Sequence, residues 1–299
     1  MKTEQYDVII IGGSYAGLSA AMALGRSLQK VLIIDGGQPC NRQTPASHNF
    51  ITHDGETPAA IAQKAKEEVL AYPTVQWLDG FVQQVSGSNL NFMVTTDIET
   101  FSAKKILFAT GVKDLMPDIA GFAECWGISA IHCPYCHGYE YRDAPTGILI
   151  NGDMSFDFGK FIQHWTKSLT IFTNGPHGMT GEIYQQITAR GIKVIETELT
   201  KISHQDGYIN AVHLANGDKI KLEALYARLP FDGSKLPQQI GCTITDDGYL
   251  AVDEFKATNI PGVFAAGDNT TRMRSVAYAV GAGSVAGAMI NHQLIQETE

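Results

Sequence analysis

Tyr6-Asp7-Val8-Ile9-Ile10-Ile11-Gly12-Gly13-Ser14-Tyr15-Ala16-Gly17 is the stretch on which the fold turns. Its first six residues are a nearly continuous apolar run, the pattern of a central parallel strand buried on both faces. The glycine-rich residues that follow make a tight turn, and Leu18 to Gln29 carries small residues at helical spacing. A second apolar run, Val31-Leu32-Ile33-Ile34, ends in Asp35, 18 residues past Gly17. Strand, turn, helix, strand and terminal acid together describe a βαβ unit of the dinucleotide-binding kind. Such a turn has to be tight, has to let backbone approach a pyrophosphate, and has to aim the helix N-terminus at the anion. Gly12, Gly13, Ser14, Ala16 and Gly17 are therefore candidate cofactor contacts. Ser14 stands where a middle glycine is usual, and its hydroxyl can donate to a phosphate. Asp35 is placed to accept from ribose hydroxyls. The competing reading is a turn chosen only for helix–strand packing.

Outward from this unit, a helix is expected over about Pro58 to Ala71, then short strands near Val75 to Leu78, Phe81 to Ser86 and Phe92 to Thr95. Lys105-Ile106-Leu107-Phe108-Ala109 reads as another buried strand, stopping at Thr110-Gly111. The βαβ pattern restarts at Gly147-Ile148-Leu149-Ile150, about 140 residues after the first, with a helix from about Phe156 to Lys167 and a strand at Leu169 to Thr173. Asn216-Gly217-Asp218 is hairpin turn chemistry. A last segment carries Gly262-Val263-Phe264-Ala265-Ala266-Gly267-Asp268 and an Ala/Gly-rich helix from about Ser275 to Gln293. The expected fold is α/β, with two Rossmann-like three-layer nucleotide-binding domains, the second inserted into the first. The expected boundaries are 1–114 and 231–299 for the first domain and 115–230 for the second.

The 299 residues carry 22 basic and 31 acidic side chains, a formal charge of −9. A nucleic-acid partner would need a basic face, so that class is set aside. Met1-Lys2-Thr3-Glu4-Gln5 runs straight into a strand, with neither a signal-peptide pattern nor an apolar stretch long enough to span a bilayer. The expectation is a cytoplasmic protein without a membrane partner. Of the five cysteines, Cys125 and Cys242 read as small buried residues. Cys133 and Cys136 are different. They lie in His132-Cys133-Pro134-Tyr135-Cys136-His137, and a Cys-x-x-Cys pair can open and close a disulfide, one thiol usually having a lowered pKa. The same run also matches c-type haem attachment, and two cysteines with two histidines could hold zinc. Histidines directly adjoining the cysteines do not match the usual structural zinc spacings, and haem attachment belongs outside the cytoplasm.

Ala109-Thr110-Gly111, Gly267-Asp268 after Ile260-Pro261-Gly262-Val263-Phe264-Ala265, and Arg274-Ser275-Val276 opening a long helix resemble the FAD domain of low-molecular-weight thioredoxin reductases. The resemblance covers nearly the whole chain and implies FAD as cofactor, a homodimer, and a redox-active disulfide between the two FAD-domain segments. It implies FAD contacts at Gly36 and Gln38 in the loop after the acid, at Val82, at Ala109, Thr110 and Gly111, and at Gly267, Asp268, Arg274, Ser275 and Val276. By the same resemblance Cys136 faces the flavin and Cys133 exchanges with the substrate, a thioredoxin-like protein or a small dithiol or disulfide. That family has an acid directly after the second cysteine. His137 stands there, and a histidine titrating near neutrality can pass protons either way.

The family binds NADPH at its second βαβ unit, through Gly-x-Gly-x-x-Ala. This chain has Asn151-Gly152-Asp153-Met154-Ser155-Phe156 instead. Asp153 opposes an anion at a helix N-terminus, and Phe156 replaces a small residue at a close approach. Thr173-Asn174-Gly175 stands where the family has basic residues for a 2′-phosphate. These departures argue against conventional NADPH binding. His132-Cys133 and Cys136-His137-Gly138-Tyr139-Glu140, with Gly36-Gly37-Gln38-Pro39-Cys40-Asn41-Arg42 and His48-Asn49-Phe50, resemble a second branch. It comprises fungal and bacterial dithiol oxidases that close disulfides in gliotoxin-type and holomycin-type compounds, passing electrons through FAD to oxygen. Arg42 and His48 become candidate cofactor or site residues on that basis. Three readings follow: a flavin-linked thiol–disulfide oxidoreductase, an oxygen-dependent dithiol oxidase, and a flavin-binding redox sensor with no turnover.

Overall fold

The structure, a computed structural model, describes residues 5–297; Met1 to Glu4, on which the leader reading rests, lie outside the described residues. The chain forms two compact units. One comprises the chain up to Arg42, Phe50–Lys113 and the chain from Phe231; the other comprises Gln43–Asn49 and Asp114–Pro230.

The first unit is built on a seven-stranded sheet. Its parallel part runs Val75–Asp79, Val31–Asp35, Gln5–Ile11, Thr100–Phe108, in that spatial order. The far edge of Thr100–Phe108 is shared by two partners. Its first half pairs antiparallel with Asn91–Thr96, which pairs in turn with Val82–Ser88, and its second half pairs parallel with Val263–Ala265. The apolar runs are fully buried, Val8, Ile9 and Ile10 on one strand and Ile33 and Ile34 on the next, as a sheet covered on both faces demands. Successive strands are laid down to one side of Gln5–Ile11 and then, from Thr100–Phe108, to the other, which makes the carboxyl ends of these two strands the switch point where such sheets bind ligands.

One face of that sheet is covered by two helices whose sequences lie some 260 residues apart, Tyr15–Arg26 and Val276–Gln296. The second buries a stripe of small residues at i, i+3, i+4 spacing: Ala279, Ala282, Gly283, Ala286 and Gly287. A Cβ on Gly283 would lie 2.1 Å from the Ala16 carbonyl oxygen, and one on Gly287 2.6 Å from that of Ala20. The backbones touch where side chains would normally separate them. At the sheet's other end, Lys105 is fully buried and ion-paired to Glu297 at 2.6 Å, with Asn89 Oδ1 at 2.8 Å, so the end of the long helix is also tied to the sheet.

The second unit holds an all-parallel five-stranded sheet in the order Lys193–Ile195, Leu169–Phe172, Thr146–Leu149, Ala224–Ala227, Ala130–Ile131. Helices Met154–Ile162 and Gly181–Ala189 belong to this βαβ pattern, the first ending well short of the expected Lys167 because Gln163 to Thr166 turn away from helix. A separate antiparallel sheet, Leu199–Gln205, Tyr208–Leu214 and Lys219–Lys221, contains the hairpin at Asn216-Gly217-Asp218. Both units are α/β with Rossmann-like parallel sheets, as expected. Among the described residues no helix is long and apolar enough to cross a membrane.

The helix crossing gives a direct test. Gly283→Ala should cost about 2–3 kcal/mol, because a carbonyl cannot yield as a side-chain tip can. Gly281→Ala, on the same helix with nothing within 4 Å of its would-be Cβ, should instead gain about 0.5–1 kcal/mol. Thermal melts of the two variants read the contrast.

Candidate functional site

The sheet of the first unit presents the turn residues at its switch point. Gly12 sits at φ +105°, and a Cβ there would lie 2.3 Å from the Ala109 carbonyl oxygen, so only glycine permits this approach between adjacent strand ends. Gly13 has a packing duty, since a Cβ would strike the Trp77 ring at 2.2 Å. Ser14 occupies the N-cap position of helix Tyr15–Arg26 without making a side-chain cap hydrogen bond, whereas Thr57, Thr180 and Ser275 each cap their own helices. A buried first turn (Tyr15, Ala16, Gly17) without a side-chain cap leaves this helix end suited to an external anion. Asp35 accepts from the Gly13 N–H at 2.8 Å and the Gly37 N–H at 3.0 Å. Two carboxylate oxygens offer about four acceptor positions, so capacity remains for ribose hydroxyls.

Ala109, Thr110 and Gly111 follow the strand Thr100–Phe108 at the same edge. Asn269 fastens the far segment to them. Its Nδ2 donates to the Phe108 carbonyl at 2.9 Å and lies 3.5 Å from Thr110 Oγ1. Sequence reasoning passed over Asn269, although it directly follows Gly267-Asp268. Asp268 Oδ2 lies 3.6 Å from Arg274 Nε and 3.6 Å from Cys40 Sγ. Ser275 Oγ accepts from the Tyr278 N–H at 3.1 Å, and Val276 packs on the core. Gly36 lies under the Phe81 ring and Gln38 is exposed. Arg42 is exposed and donates to the Pro39 carbonyl within its own loop. Val82 packs on the other core face of the sheet. Turn, acid and far segment thus converge on one sheet edge, and their donors and acceptors fit a dinucleotide.

The redox pair belongs to the second unit. Ala130–Ile131 is a two-residue edge strand parallel to Ala224–Ala227, and His132 and Cys133 leave its carboxyl end. Cys133 is still extended, at φ −117° and ψ 114°, and Pro134 then starts the short helix Pro134–His137, where a missing N–H costs nothing. That turn brings the Cys133 and Cys136 sulfurs to 2.7 Å, with Cys136 donating. Cys133 is lowered to about 7, chiefly by this thiol hydrogen bond, against burial and with help from the Cys136 and Tyr135 N–H groups. Burial, and then the nearby His48, lowers His137 to about 4. It is therefore neutral at pH 7 and a weak base there, rather than titrating near neutrality as its residue type alone led one to expect. His48 reaches this place on Gln43–Asn49, held to the unit by Gln43 donating to the Ala123 and Trp126 carbonyls at 3.2 and 2.8 Å. His48 Nε2 lies 3.5 Å from Glu140 Oε1. His132 lies beside the Trp126 ring, 6.0 Å between centroids. Among the described residues no three His, Cys, Asp or Glu are grouped as metal ligands.

The second unit's own nucleotide turn is filled by protein. Asn151 Nδ2 donates to the Thr173 and Pro176 carbonyls at 3.0 and 2.9 Å, while its Oδ1 accepts from the Gly152 N–H at 2.7 Å. Asp153 leaves its helix uncapped and accepts from the Thr180 N–H at 2.8 Å, keeping a carboxylate at the helix mouth. The loop of residues 174–180 is thereby stitched across the strand ends. Phe156 packs into the core with the Arg190 guanidinium 5.6 Å from its ring.

Two pH responses follow. In the reduced protein, alkylation of Cys133 should show a midpoint near pH 7, while buried Cys125, raised to about 11, stays unreactive there; peptide mass spectrometry across pH checks both. His137 binds its proton less tightly folded than unfolded, so stability is full above about 6.5 and declines as pH falls toward about 4. His137→Asn should flatten that loss, of order 2–3 kcal/mol, in denaturant titrations at pH 7 and pH 4.5.

The chain matches the model of the family described as pyridine nucleotide-disulphide oxidoreductase over residues 6–283. It is 32% identical to the thioredoxin reductase tcpT of Claviceps purpurea (strain 20.1), covering 97% of this chain and 95% of that protein. Among solved structures, an oxidoreductase from Agrobacterium tumefaciens superposes with a TM-score of 0.90 at 36% identity, over 99% of this chain and 100% of that one. HlmI superposes at 0.92 with 30% identity, over 98% and 94%. The chain therefore belongs to the pyridine nucleotide-disulphide oxidoreductase family and is a thioredoxin reductase-like, FAD-dependent disulfide oxidoreductase.

Proposed function

We propose that this protein moves electrons between FAD, the Cys133/Cys136 pair and a dithiol or disulfide substrate, without conventional NADPH binding. The observation that carries the reading is the dithiol itself, two sulfurs 2.7 Å apart with Cys133 lowered to about 7. A thiol poised there is substantially thiolate at neutral pH, near the optimum for attack on a disulfide. Cys133 is the attacking thiol and Cys136 closes on it. His137, neutral at pH 7, is a weak base that can relay a thiol proton onward to solvent but does not store it. The family's FAD supplies a two-electron store. The turn from Gly12 to Gly17, with Asp35, Ala109 to Gly111, and Gly267 to Val276, would hold it. A thioredoxin-like protein and a small dithiol or disulfide both remain within this substrate class, and the working protein is a homodimer.

The filled second turn supports the statement about NADPH. A pyrophosphate would have to displace Asn151 from two carbonyls and sit against the Asp153 carboxylate. That observation also favours a second reading, in which a substrate dithiol is oxidised to its disulfide and oxygen takes up the two electrons and two protons.

Under anaerobic conditions a small dithiol should bleach the visible flavin band of the holoenzyme. Cys133→Ser and Cys136→Ser should each slow that bleaching by at least about 10³-fold while FAD stays bound. Bleaching at the native rate in either variant would contradict the proposed route. Recovery of the band on admitting air, with one peroxide per dithiol consumed, would support the oxidase direction.

A further inference from the structure

Tyr226 is a large side chain with no assigned duty, buried to 1% exposure in the second unit. It lies on strand Ala224–Ala227, in parallel register with Ile131 and Ile148. Side chains in register share a face, and the next residue on that face along the same chain lies two positions on. Ile131 is followed two residues later by Cys133, whose backbone is still extended. Tyr226, Ile131 and Ile148 pack in one cluster with Phe158, whose ring meets Tyr226 edge-on at 6.3 Å. The phenol therefore rises from the sheet on the side where the chain turns into the redox pair.

The hydroxyl of Tyr226 is buried and has no hydrogen-bond partner among the described residues. Its neighbour Tyr141 shows the ordinary arrangement, donating to the Ile128 carbonyl at 2.9 Å. Leaving a phenol O–H buried and unpaired is costly, and such groups in native proteins call for an explanation. The charged and titratable groups around it are Cys133 and Cys136 from the redox turn and Glu140 and Tyr141 from the segment after it. Arg228, just past the end of that strand, has its guanidinium 4.4 Å from the Phe158 ring.

We propose that the Tyr226 hydroxyl is the buried hydrogen-bond donor for the thiolate form of Cys133, taking up that bond when the pair is reduced and ionised. Burial, and then the negative charge of Cys133, raises the Tyr226 phenol well above its ordinary value, so it remains protonated at every working pH and acts as a donor only. No proton leaves it during turnover. Its effect is to favour thiolate over thiol and to hold the sulfur in one direction. The inference rests on the redox role of the pair. It is read on the thiol itself, so its failure is separable from failure of the proposed electron route.

The test is the pH dependence of Cys133 alkylation by iodoacetamide in the reduced holoenzyme, followed on the Cys133 peptide by mass spectrometry. Tyr226→Phe keeps the ring and removes only the hydroxyl. It should raise the alkylation midpoint by about one unit, roughly a tenfold loss of thiolate at acidic pH. The thermal midpoint should stay the same or rise, because a buried unpaired group has gone. Site-specific 3-fluorotyrosine at position 226, a stronger donor of nearly equal size, should lower the alkylation midpoint. A midpoint unmoved in both variants, or moved the opposite way in either, would overturn the assignment.

Discussion

The contact on which the architecture depends is the crossing of two helices at backbone distance. Gly283 and Gly287 face the Ala16 and Ala20 carbonyls, where any Cβ would overlap an oxygen. The first helix starts the chain's nucleotide-type turn, and the second belongs to its far end. Their contact, with the pairing of Val263–Ala265 onto Thr100–Phe108, assembles one unit from segments separated by the whole of the other. It also sets Gly267 to Val276 on the same sheet edge as Gly12 and Asp35. The proposed cofactor cradle draws on both ends of the sequence and so depends on that crossing.

The second unit reuses the same parallel-sheet logic for a different end. Its strand ends carry two features, separated by strand Ala224–Ala227: a turn that resembles a nucleotide site and a dithiol. In the turn, Asn151 and Asp153 have taken up the backbone groups of the loop at residues 174–180. At the dithiol, a two-residue edge strand, one proline and one helical turn bring two sulfurs together and leave His137 neutral beside them. Polar capacity that a pyrophosphate would use is spent within the protein, while the thiol chemistry is intact.

Much of this was legible in the sequence because it depends on local pattern. The run from Tyr6 to Ile11, the following glycines and Asp35 announce strand, turn and acid through periodicity and turn chemistry, and Gly267-Asp268 marks the far segment by resemblance. What stayed hidden depends on groups distant in sequence. Gly13 also answers a packing demand from Trp77 that the glycine pattern does not show. Asn151 and Asp153 read as a damaged glycine pattern, but their carbonyl and amide partners lie 22 to 27 residues on. The neutral state of His137 comes from burial and from His48 arriving on a separate segment. Tyr226 carries no motif at all, and only strand register relates it to Cys133.

The central claim is that the dithiol works with an electron partner other than NADPH. The most direct measurement is equilibrium binding of NADPH to the oxidised, FAD-loaded enzyme, followed by nucleotide fluorescence. The account predicts no saturable binding up to about 1 mM, weaker than roughly 4 kcal/mol of affinity. Saturation in the micromolar range would contradict it, and would mean that the Asn151 and Asp153 contacts open readily for a pyrophosphate.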